Sequence, residues 1–591
     1  MSGAASQTFE ILLDDARPGH ERLRIFRGLD GIVEAFGPEE VAGALAALEQ
    51  ARKSGRYVAG YFAYELGYIL EPALRPLLPK ERTLPLLRLG VFKACEILTD
   101  DAAQAELKAR VTGRAYAGPL AHEWDAAAYG KRFARVHRYI GAGDIYQANL
   151  SFRSHFSFVG DPMALYLKLR ERSAAAHGAF IADGERHILS LSPELFFSVS
   201  AQGEITAKPM KGTAPRGSDP AQDTAARAHL QTSEKERAEN LMIVDLLRND
   251  LGRVATMGSV SVPDLFSVET YPTVHQMVST VRARLREGAT VEEILRALFP
   301  CGSVTGAPKI RAMQIIRELE QSPRGVYCGA IGHFSPDGMA QFNVAIRTLT
   351  LANNRGELGI GGAVVHDSRA QNEYDECLLK ARYYNSVLKP VELIETLRFS
   401  REQEFTRLNL HLERMERSAK VFGISFDQDA AMRELDRSVA GFSEDLRARL
   451  VLDQNGLLNA SAAPLGTEAQ LWTYRLSEIP VASGDVLLAH KTSWREMFEA
   501  SSGQTQGCDE VLFVNERGEL TEGSRTNVFI RIGGRLFTPP KDSGLLPGCL
   551  RRELIESGEC SERVLYPSDL ANAEAVFLGN SLRGLIPSIP A

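Results

Sequence analysis

YCGAIGHFSPDGMAQFNVAIRTLTLANNRGELGIGGAVV, residues 327–365, reads as a meander. One apolar run ends at Pro336-Asp337-Gly338, a second ends at Asn354-Arg355-Gly356, and a third closes at Val365. Pro, Asp, Asn and Gly turn a chain, and the runs between them have strand length, so the pattern predicts successive β-strands. Upstream, HILSLSPELFFSVS (187–200) is another such run. Downstream, the spacing predicts a long amphipathic helix around 371–388. EEVAGALAALEQARK (39–53) has the 3.6-residue period and the strong helix formers of a second helix. Both signals recur along the chain, so the fold class is α/β in the α+β sense.

After Leu388-Lys389-Pro390 the pattern restarts with VELIETLRFS. We place a boundary there: residues 1–388 as one domain, 389–392 as a short linker, 393–591 as a second domain. The junction has no Gly/Ser or Pro-rich tract, which predicts halves that do not tumble freely. The second half carries its own strand series, DEVLFVN-ERG-ELTEGSRTNVFIRI-GG-RLFTPP (509–540), flanked by helices. A chain of 591 residues has room for several domains.

Composition narrows the function classes. Lys plus Arg total 68 and Asp plus Glu total 75, a formal charge of −7. Such a chain has no global electrostatic reason to bind nucleic acid or an anionic membrane. No segment approaches the ~20 apolar residues of a membrane span. The N-terminus, MSGAASQTFEILLDDARPG, lacks a basic region followed by an apolar core, so it does not read as a secretory signal. The seven cysteines are scattered, odd in number and without a CxxC pair, which argues against zinc and against a disulfide framework. The expectation is a cytoplasmic protein with reduced thiols.

Three segments of the first half carry chemistry. TSEKERAENLMIVDLLRNDLGRV (232–254) reads as a helix with Ser233 as its cap and Glu236 three residues on. Glu236 and Glu239 share a face, and NEYDECLLKA (372–381) repeats the device with Glu373 and Glu376, with Lys380 one turn beyond. Two acidic faces could clamp a hard cation such as Mg²⁺, although i, i+3 acidic pairs are usually just solvated helix faces. AKPMKGTAPRG (207–217) puts Lys211 in a turn-rich segment, where a desolvated amine becomes a nucleophile but an ordinary lysine is only a surface charge. FPCGSVTGAPKIRAMQIIRELE (299–320) runs from a Gly-rich turn into a helix, with Thr305, Gly306 and Lys309 where an anion would lie at a helix N-terminus. It lacks the spacing of a Walker loop.

SPELF (192–196), PMKGT (209–213), ENLMIVDLLRND (239–250), ETYPTVHQMVSTV (269–281), GSVTGAPK (302–309), GIGGAVV (359–365) and EYDECLLKA (373–381) follow one another as in the chorismate-utilising enzymes, which residues 1–388 resemble. The resemblance implies an N-terminal fold of large antiparallel sheets with flanking helices. It implies that Glu239 and Glu376 ligate Mg²⁺, with Glu236 and Glu373 supporting through water. Tyr327, Arg347, Gly361, Gly362 and Lys380 would receive the carboxylates of chorismate, and His275 and Thr305 would line its ring. Glu194 would be the general acid at the C4 hydroxyl. Isochorismate- and salicylate-forming relatives carry a lysine base where this chain has Gln147, and anthranilate-forming relatives carry alanine where it has Lys211. Lysine at that position marks the branch that makes 4-amino-4-deoxychorismate, with Lys211 attacking C2 before ammonia enters at C4. No G-x-C-x-G glutaminase motif is present, so ammonia would come from a separate glutamine amidotransferase subunit. Asp14-Asp15 stands where some relatives carry the last two residues of a tryptophan-binding LLES.

In the second half, HLERMERSAKVFG (411–423) is a basic helix whose Arg414, Arg417 and Lys420 could hold an anion or merely face water. Lys491 follows the apolar run GDVLLAH, which predicts a desolvated amine emerging from a strand. ELTEGSRTNVFI (519–530) places Glu522 on a turn, and GLLPGCLRREL (544–554) is a turn entering a helix. FLGNSLRGLIP (577–587) adds Asn580, Ser581 and Arg583. In this order the segments resemble the fold-type IV pyridoxal-phosphate enzymes over residues 392–591. The resemblance implies Lys491 as the Schiff-base lysine and proton shuttle, and Glu522 at the pyridine nitrogen. Arg414, the backbone of Cys549 and Leu550, and Ser581 would hold the phosphate, and Arg583 a substrate carboxylate. Leu550 stands where threonine is frequent, so only its N–H can serve. A homodimer through this domain is the expected assembly, although the usual opening strands before ETLR are trimmed.

Together the halves imply a synthase joined to a lyase, converting chorismate to 4-aminobenzoate and pyruvate. Two rival readings stand beside it. One is an anthranilate-type first half, or a second half that is a class IV aminotransferase of another substrate. The other is a second half that is an inactive dimerising module.

Overall fold

The structure is a computed structural model, and it describes residues 8–271, 274–466, 470–502 and 507–591. The first seven residues of the N-terminal stretch read above, and Pro272 and Thr273 of the 269–281 motif, lie outside the described residues. The fold is mixed, with large antiparallel sheets and flanking helices in the first half and a smaller mixed-sheet architecture in the second. The chain divides into two compact units. One comprises residues 1–110, 119–156 and 166–387, and the other residues 111–118, 157–165 and 388–591.

The first unit carries most of a nineteen-stranded network. Strand Phe9–Asp15 pairs antiparallel with both Arg22–Ala35 and His177–Asp183. Strand Ala330–Phe334 lies between Tyr57–Phe62 and Ala340–Val344. Its largest core packs Phe62, Phe197, Phe299 and Phe342 with Ile243, Val244 and Leu247 of helix Glu234–Gly252.

The 327–365 segment departs from a simple meander. Its middle run is two strands, Ala340–Val344 and Thr348–Ala352, which pair with different partners, Leu195–Val199 and Arg186–Ser192. The break at residues 345–347 is held by Ala345 N–H on Gly329 O at 3.0 Å and by Leu191 N–H on Arg347 O at 3.0 Å. Arg347 there adopts φ +49°, a left-handed value that an arginine takes only when its surroundings enforce it. The following hairpin turns at Asn353-Asn354 (φ +52° and +59°), the residues that tolerate such angles, one position before the expected turn. The helix expected over 371–388 is two pieces, Ala370–Lys380 and Arg382–Asn385.

In the second unit, strands Leu393–Ser400, Leu446–Leu452 and Leu458–Pro464 form an antiparallel sheet covered by helices Leu408–Phe422 and Gln428–Val439. A second sheet joins Trp472–Leu476, Glu510–Val514, Leu520–Gly523, Asn527–Ile532, Ala575–Asn580 and Gly584–Pro590 into a closed ring of six strands. Arg535–Thr538 and Cys560–Glu562 extend it. Trp472, Leu512, Val528, Ile530 and Leu578 fill one face. The segment before Lys491 is a 3₁₀ turn, Val486–Ala489, where the sequence suggested a strand. Asp485 caps it, accepting from Leu487 N–H at 3.0 Å. No helix among the described residues is long and apolar enough to cross a membrane.

Candidate active sites

The first site lies in the first unit, where Lys211 meets the two acidic helices. Ser233 caps helix Glu234–Gly252 by accepting from the Glu236 N–H at 3.4 Å. Glu236 and Glu239 then project from its first turns. Gly212, at φ +85°, brings strand Met210–Pro215 so close that a Cβ would sit 2.8 Å from Glu236 Oε2. On the other side, a Cβ at Gly362 would lie 3.5 Å from Glu373 Oε2 and 3.6 Å from Lys380 Nζ. Lys380 donates to Gly361 O at 2.9 Å and pairs with Glu376 at 2.9 Å.

The charges of these groups reach one another. Burial pushes Lys211 down from an ordinary lysine. Glu239, Glu194 and Glu376 pull its ammonium back, while Lys380 opposes them. Burial raises Glu236, and Glu239 and Glu376 raise it further. Burial and Glu376 raise Glu373, against a hydrogen bond from Ser368 at 2.7 Å. Lys380 holds Glu376 low. Among the described residues the four glutamates do not bring three carboxylate oxygens within 4.8 Å of one another.

Glu194, 4% exposed, faces Lys211 from the start of strand Leu195–Val199. Burial pushes its carboxyl up to about 7, against a hydrogen bond from Ser303 Oγ at 2.8 Å and the charge of Lys211. A carboxyl that titrates near neutrality can donate a proton at physiological pH.

Around this centre the expected substrate groups take distinct places. Gln147 is fully buried in strand Gln147–Gly160, and neither its amide N nor its amide O has a partner among the described residues. Unpaired buried amide atoms are costly, so this side chain is suited to a polar ligand. Arg347 has no carboxylate partner among the described residues, and burial lowers its pKa, which suits it to an anion. Tyr327 is buried beneath Arg153, whose guanidinium carbon lies 5.0 Å from the ring centre. Thr305 donates to Cys301 O at 3.0 Å. His275 meets Thr270 Oγ1 at 3.0 Å and Asp223 Oδ1 at 2.9 Å, so both ring nitrogens are occupied within the protein. Lys309 is likewise spent, on Asp250 at 2.6 Å and Leu298 O at 2.8 Å, and does not form the anion site its position suggested.

A buried network missing from the sequence reading positions two of these segments. Glu320 accepts from Ser151 N–H at 2.8 Å and from Arg324 Nη2 at 2.6 Å. Arg324 also donates to Val304 O and Asn149 O, each at 2.7 Å. It thus ties the Gln147 strand to the turn that carries Ser303 and Thr305.

The second site lies in the second unit. Lys491 is fixed through its carbonyl, which accepts from Ile394 N–H at 2.9 Å. Burial, with the charges of Arg495 and Arg414, lowers its amine to about 8 against the opposing pull of Glu395 and Glu522. Burial raises Glu522 to about 8, although it accepts from Leu546 N–H at 3.1 Å. Its turn is organised by buried Glu510, which accepts from Ser524 N–H at 3.0 Å and Thr526 Oγ1 at 2.8 Å.

Arg414 donates to Glu395 through Nε at 2.8 Å and Nη2 at 2.6 Å, and through Nη1 to Pro547 O at 3.3 Å. His411 bridges Glu395 at 2.5 Å and Ser581 Oγ at 2.7 Å. Despite its burial, Glu395 is held down at about 2 by Arg414 and His411. Cys549 opens helix Cys549–Glu556, whose first N–H groups have no helical acceptor. Leu550 turns its side chain into the Phe529–Leu554–Cys560 cluster. Glu395, His411 and Cys549 bring ligand atoms within 4.8 Å of one another. The adjoining Arg414 cation and free N–H groups favour an anion there over a metal. Lysine, carboxyl, hydroxyl, arginine and a helix N-terminus are the donor types found in this part of the second unit.

Arg495, which the sequence reading missed, lines a small cavity with His490, Thr492, Phe498, Glu522 and Leu546. Arg583 does not line it; its guanidinium carbon lies 5.9 Å from the Trp472 ring centre. The signal for Arg495 was present as a cation four residues after Lys491, but nothing in the pattern gave its direction.

Two family models match the chain: chorismate binding enzyme over residues 9–385 and amino-transferase class IV over residues 392–588. Aminodeoxychorismate synthase component 1 of Escherichia coli (strain K12) is 40% identical over 350 residues, 56% of this chain and 76% of that protein. Anthranilate synthase component 1 of Methanothermobacter thermautotrophicus is 42% identical over 254 residues, 43% of this chain and 54% of that protein. Among solved structures, anthranilate synthase component I from Streptococcus pneumoniae TIGR4 matches with a TM-score of 0.50 at 26% identity. That match covers 65% of this chain and 93% of that one.

Proposed function

The chain belongs to the chorismate binding enzyme family, and on that footing we propose that it converts chorismate to 4-aminobenzoate in two steps. It is an enzyme that joins a chorismate-binding half to a class IV aminotransferase-type half. Overall identity does not separate aminodeoxychorismate-forming from anthranilate-forming relatives, since both exceed 40% or reach it. The reading is carried by one observation: a half-buried Lys211, its pKa lowered by desolvation, within the charge of the Glu194 acid and the Glu239 and Glu376 carboxylates.

In the first step Glu239 and Glu376 would hold Mg²⁺, with Glu236 and Glu373 behind them; the ion supplies positive charge for a substrate carboxylate. Arg347, Lys380, Tyr327 and the Gly361-Gly362 backbone would take the carboxylates of chorismate, and Gln147 would offer its amide to the ring or the incoming amine. Thr305 and His275 would shape the wall. The Lys211 amine forms a bond to C2 as the C4–O bond breaks, and Glu194 gives its proton to the departing hydroxyl, which leaves as water. Ammonia then bonds to C4 and the lysine is expelled, giving 4-amino-4-deoxychorismate. Splitting one substitution into two displacements lowers each barrier. Ammonia would come from a separate glutamine amidotransferase subunit, as the component 1 designation of the relatives suggests.

In the second step Arg414, Ser581 and the N–H groups of Cys549 and Leu550 would hold a phosphate, and Glu522 would face a pyridine nitrogen. Bound pyridoxal phosphate supplies the electron sink. Lys491 removes the C4 proton, the C3–O bond breaks, pyruvate leaves, and the ring becomes aromatic. Arg583 was the sequence candidate for a substrate carboxylate; Arg495, which lines the cavity beside Glu522, suits that role better. The family match of residues 392–588 also favours a second reading, a class IV aminotransferase.

Product analysis tests both halves. The chain is incubated with chorismate, Mg²⁺, ammonium and pyridoxal phosphate. Appearance of 4-aminobenzoate with pyruvate supports the two-step reading. Accumulated aminodeoxychorismate leaves the first half standing and turns the second toward amino transfer. Anthranilate as product would overturn the role of Lys211.

A further inference from the structure

The stretch that carries Lys491 is clamped from far away in sequence. Residues 111–118 belong to the same compact unit as Lys491. Asp161 anchors this segment by accepting from Thr112 N–H at 2.5 Å and Gly113 N–H at 3.2 Å. Strand Ala115–Ala117 continues it, paired antiparallel with residues 158–160. Between them Arg114 donates through Nε to Asp485 Oδ2 at 2.6 Å and through Nη1 to Trp494 O at 3.1 Å, residues 371 and 380 positions away. A Cβ on Gly113 would sit 3.0 Å from Asp485 Cα, so the two backbones touch. Tyr116 adds a ring contact to Trp494 at 5.8 Å between centroids.

Asp485 and Trp494 are the two ends of the segment that contains Lys491. Asp485 starts the 3₁₀ turn before the lysine, and Trp494 precedes Arg495, whose charge acts on the lysine. One planar guanidinium holds both ends, which fixes the span between them as two separate contacts would not. Arg114 also lines the cavity shared by Arg495 and Glu522. We propose that Arg114 is a positioning residue for Lys491, so that the second active site is completed by a side chain encoded within the chorismate-binding half of the sequence. This rests on the reading of Lys491 as the cofactor lysine.

The test uses the full chain with Arg114→Ala and Arg114→Lys. Two readouts are taken: deuterium uptake by residues 485–494 without cofactor, and visible circular dichroism of bound pyridoxal phosphate. Far-ultraviolet circular dichroism and the calorimetric unfolding of the full chain report that both units of the variants fold. For Arg114→Ala the expectation is roughly tenfold faster exchange across 485–494, as for the loss of a hydrogen bond to a charged group, and at least half of the visible dichroism lost. Arg114→Lys keeps the charge toward Asp485 but cannot fork to Trp494, and recovers only part of the signal. Exchange and dichroism equal to the parent in Arg114→Ala overturn the proposal, as does faster exchange with unchanged dichroism, because the clamp would then not reach the lysine. A parent chain that takes up no pyridoxal phosphate instead overturns the underlying reading of Lys491.

Discussion

Ser303→Ala gives a direct reading of the Glu194 acid. Burial raises Glu194 to about 7, and the largest counterweight is the Ser303 hydroxyl, 2.8 Å from Oε1. A hydrogen bond to a charged group is worth about 1.5–3 kcal/mol. Some of that persists with the protonated form, so a net loss of about 1.4 kcal/mol, roughly one pKa unit, is expected on removing it. The sign is upward: the carboxylate loses a donor that stabilised its charge, so the proton is held to higher pH. A general acid works in its protonated form, so the alkaline limb of the amination rate should move up by roughly one unit. At pH 7 the protonated fraction rises from one half to about nine tenths, a rate gain just under twofold. The assay is chorismate consumption across the pH range, with total ammonium adjusted to keep free ammonia constant. An alkaline limb that stays in place, or moves down, refutes either the Ser303–Glu194 bond or the assignment of Glu194 as proton donor.

Three further outcomes follow from the same geometry. Lys211→Ala should cut aminodeoxychorismate formation by at least about 100-fold while the chorismate KM moves less than about threefold, since only the bond-forming step is lost; steady-state kinetics separate the two. Glu376→Gln should raise the Mg²⁺ concentration for half-activity by roughly 10- to 100-fold, read by activity and by calorimetric titration of the ion. Glu320→Ala leaves Arg324, 2% exposed, without its carboxylate, at a cost of about 3–5 kcal/mol, and should lower the first thermal transition by several degrees in calorimetry.

What the sequence disclosed was local, and what it withheld was distant. Ser233 is readable as a cap because its partner is three residues away, and the structure has that bond. The turn at Pro336-Asp337-Gly338 is written in the conformational habits of those residues. The break at Arg347 is not, because it arises from strands 340–344 and 348–352 choosing partners more than 140 residues upstream. Glu194 meets Ser303 across 109 positions, and no periodicity encodes that. Lys309 illustrates the reverse error: its place at a helix N-terminus suggested an anion, but Asp250, 59 residues earlier, already holds it. Glu395 was hidden differently, as a carboxylate in an apolar strand that only the Arg414 and His411 positions make affordable.

Lys211 and Lys491 show why residue type alone does not decide a lysine's chemistry. Burial lowers both. At Lys491 the strongest neighbouring influences act in the same direction as burial, because Arg495 and Arg414 repel a further cation. Glu395 and Glu522 pull the other way, and of the two only Glu395 is held in its charged form well below neutrality. The ammonium at Lys491 is thus easier to deprotonate than that of an ordinary lysine. At Lys211 three carboxylates pull against burial and only Lys380 assists it. Neutralising that negative charge would therefore lower Lys211 further, whereas at Lys491 the neighbouring cations already act with burial. The same side chain thus meets opposite fields, because helix and strand ends surround it with acids in one unit and with arginines in the other.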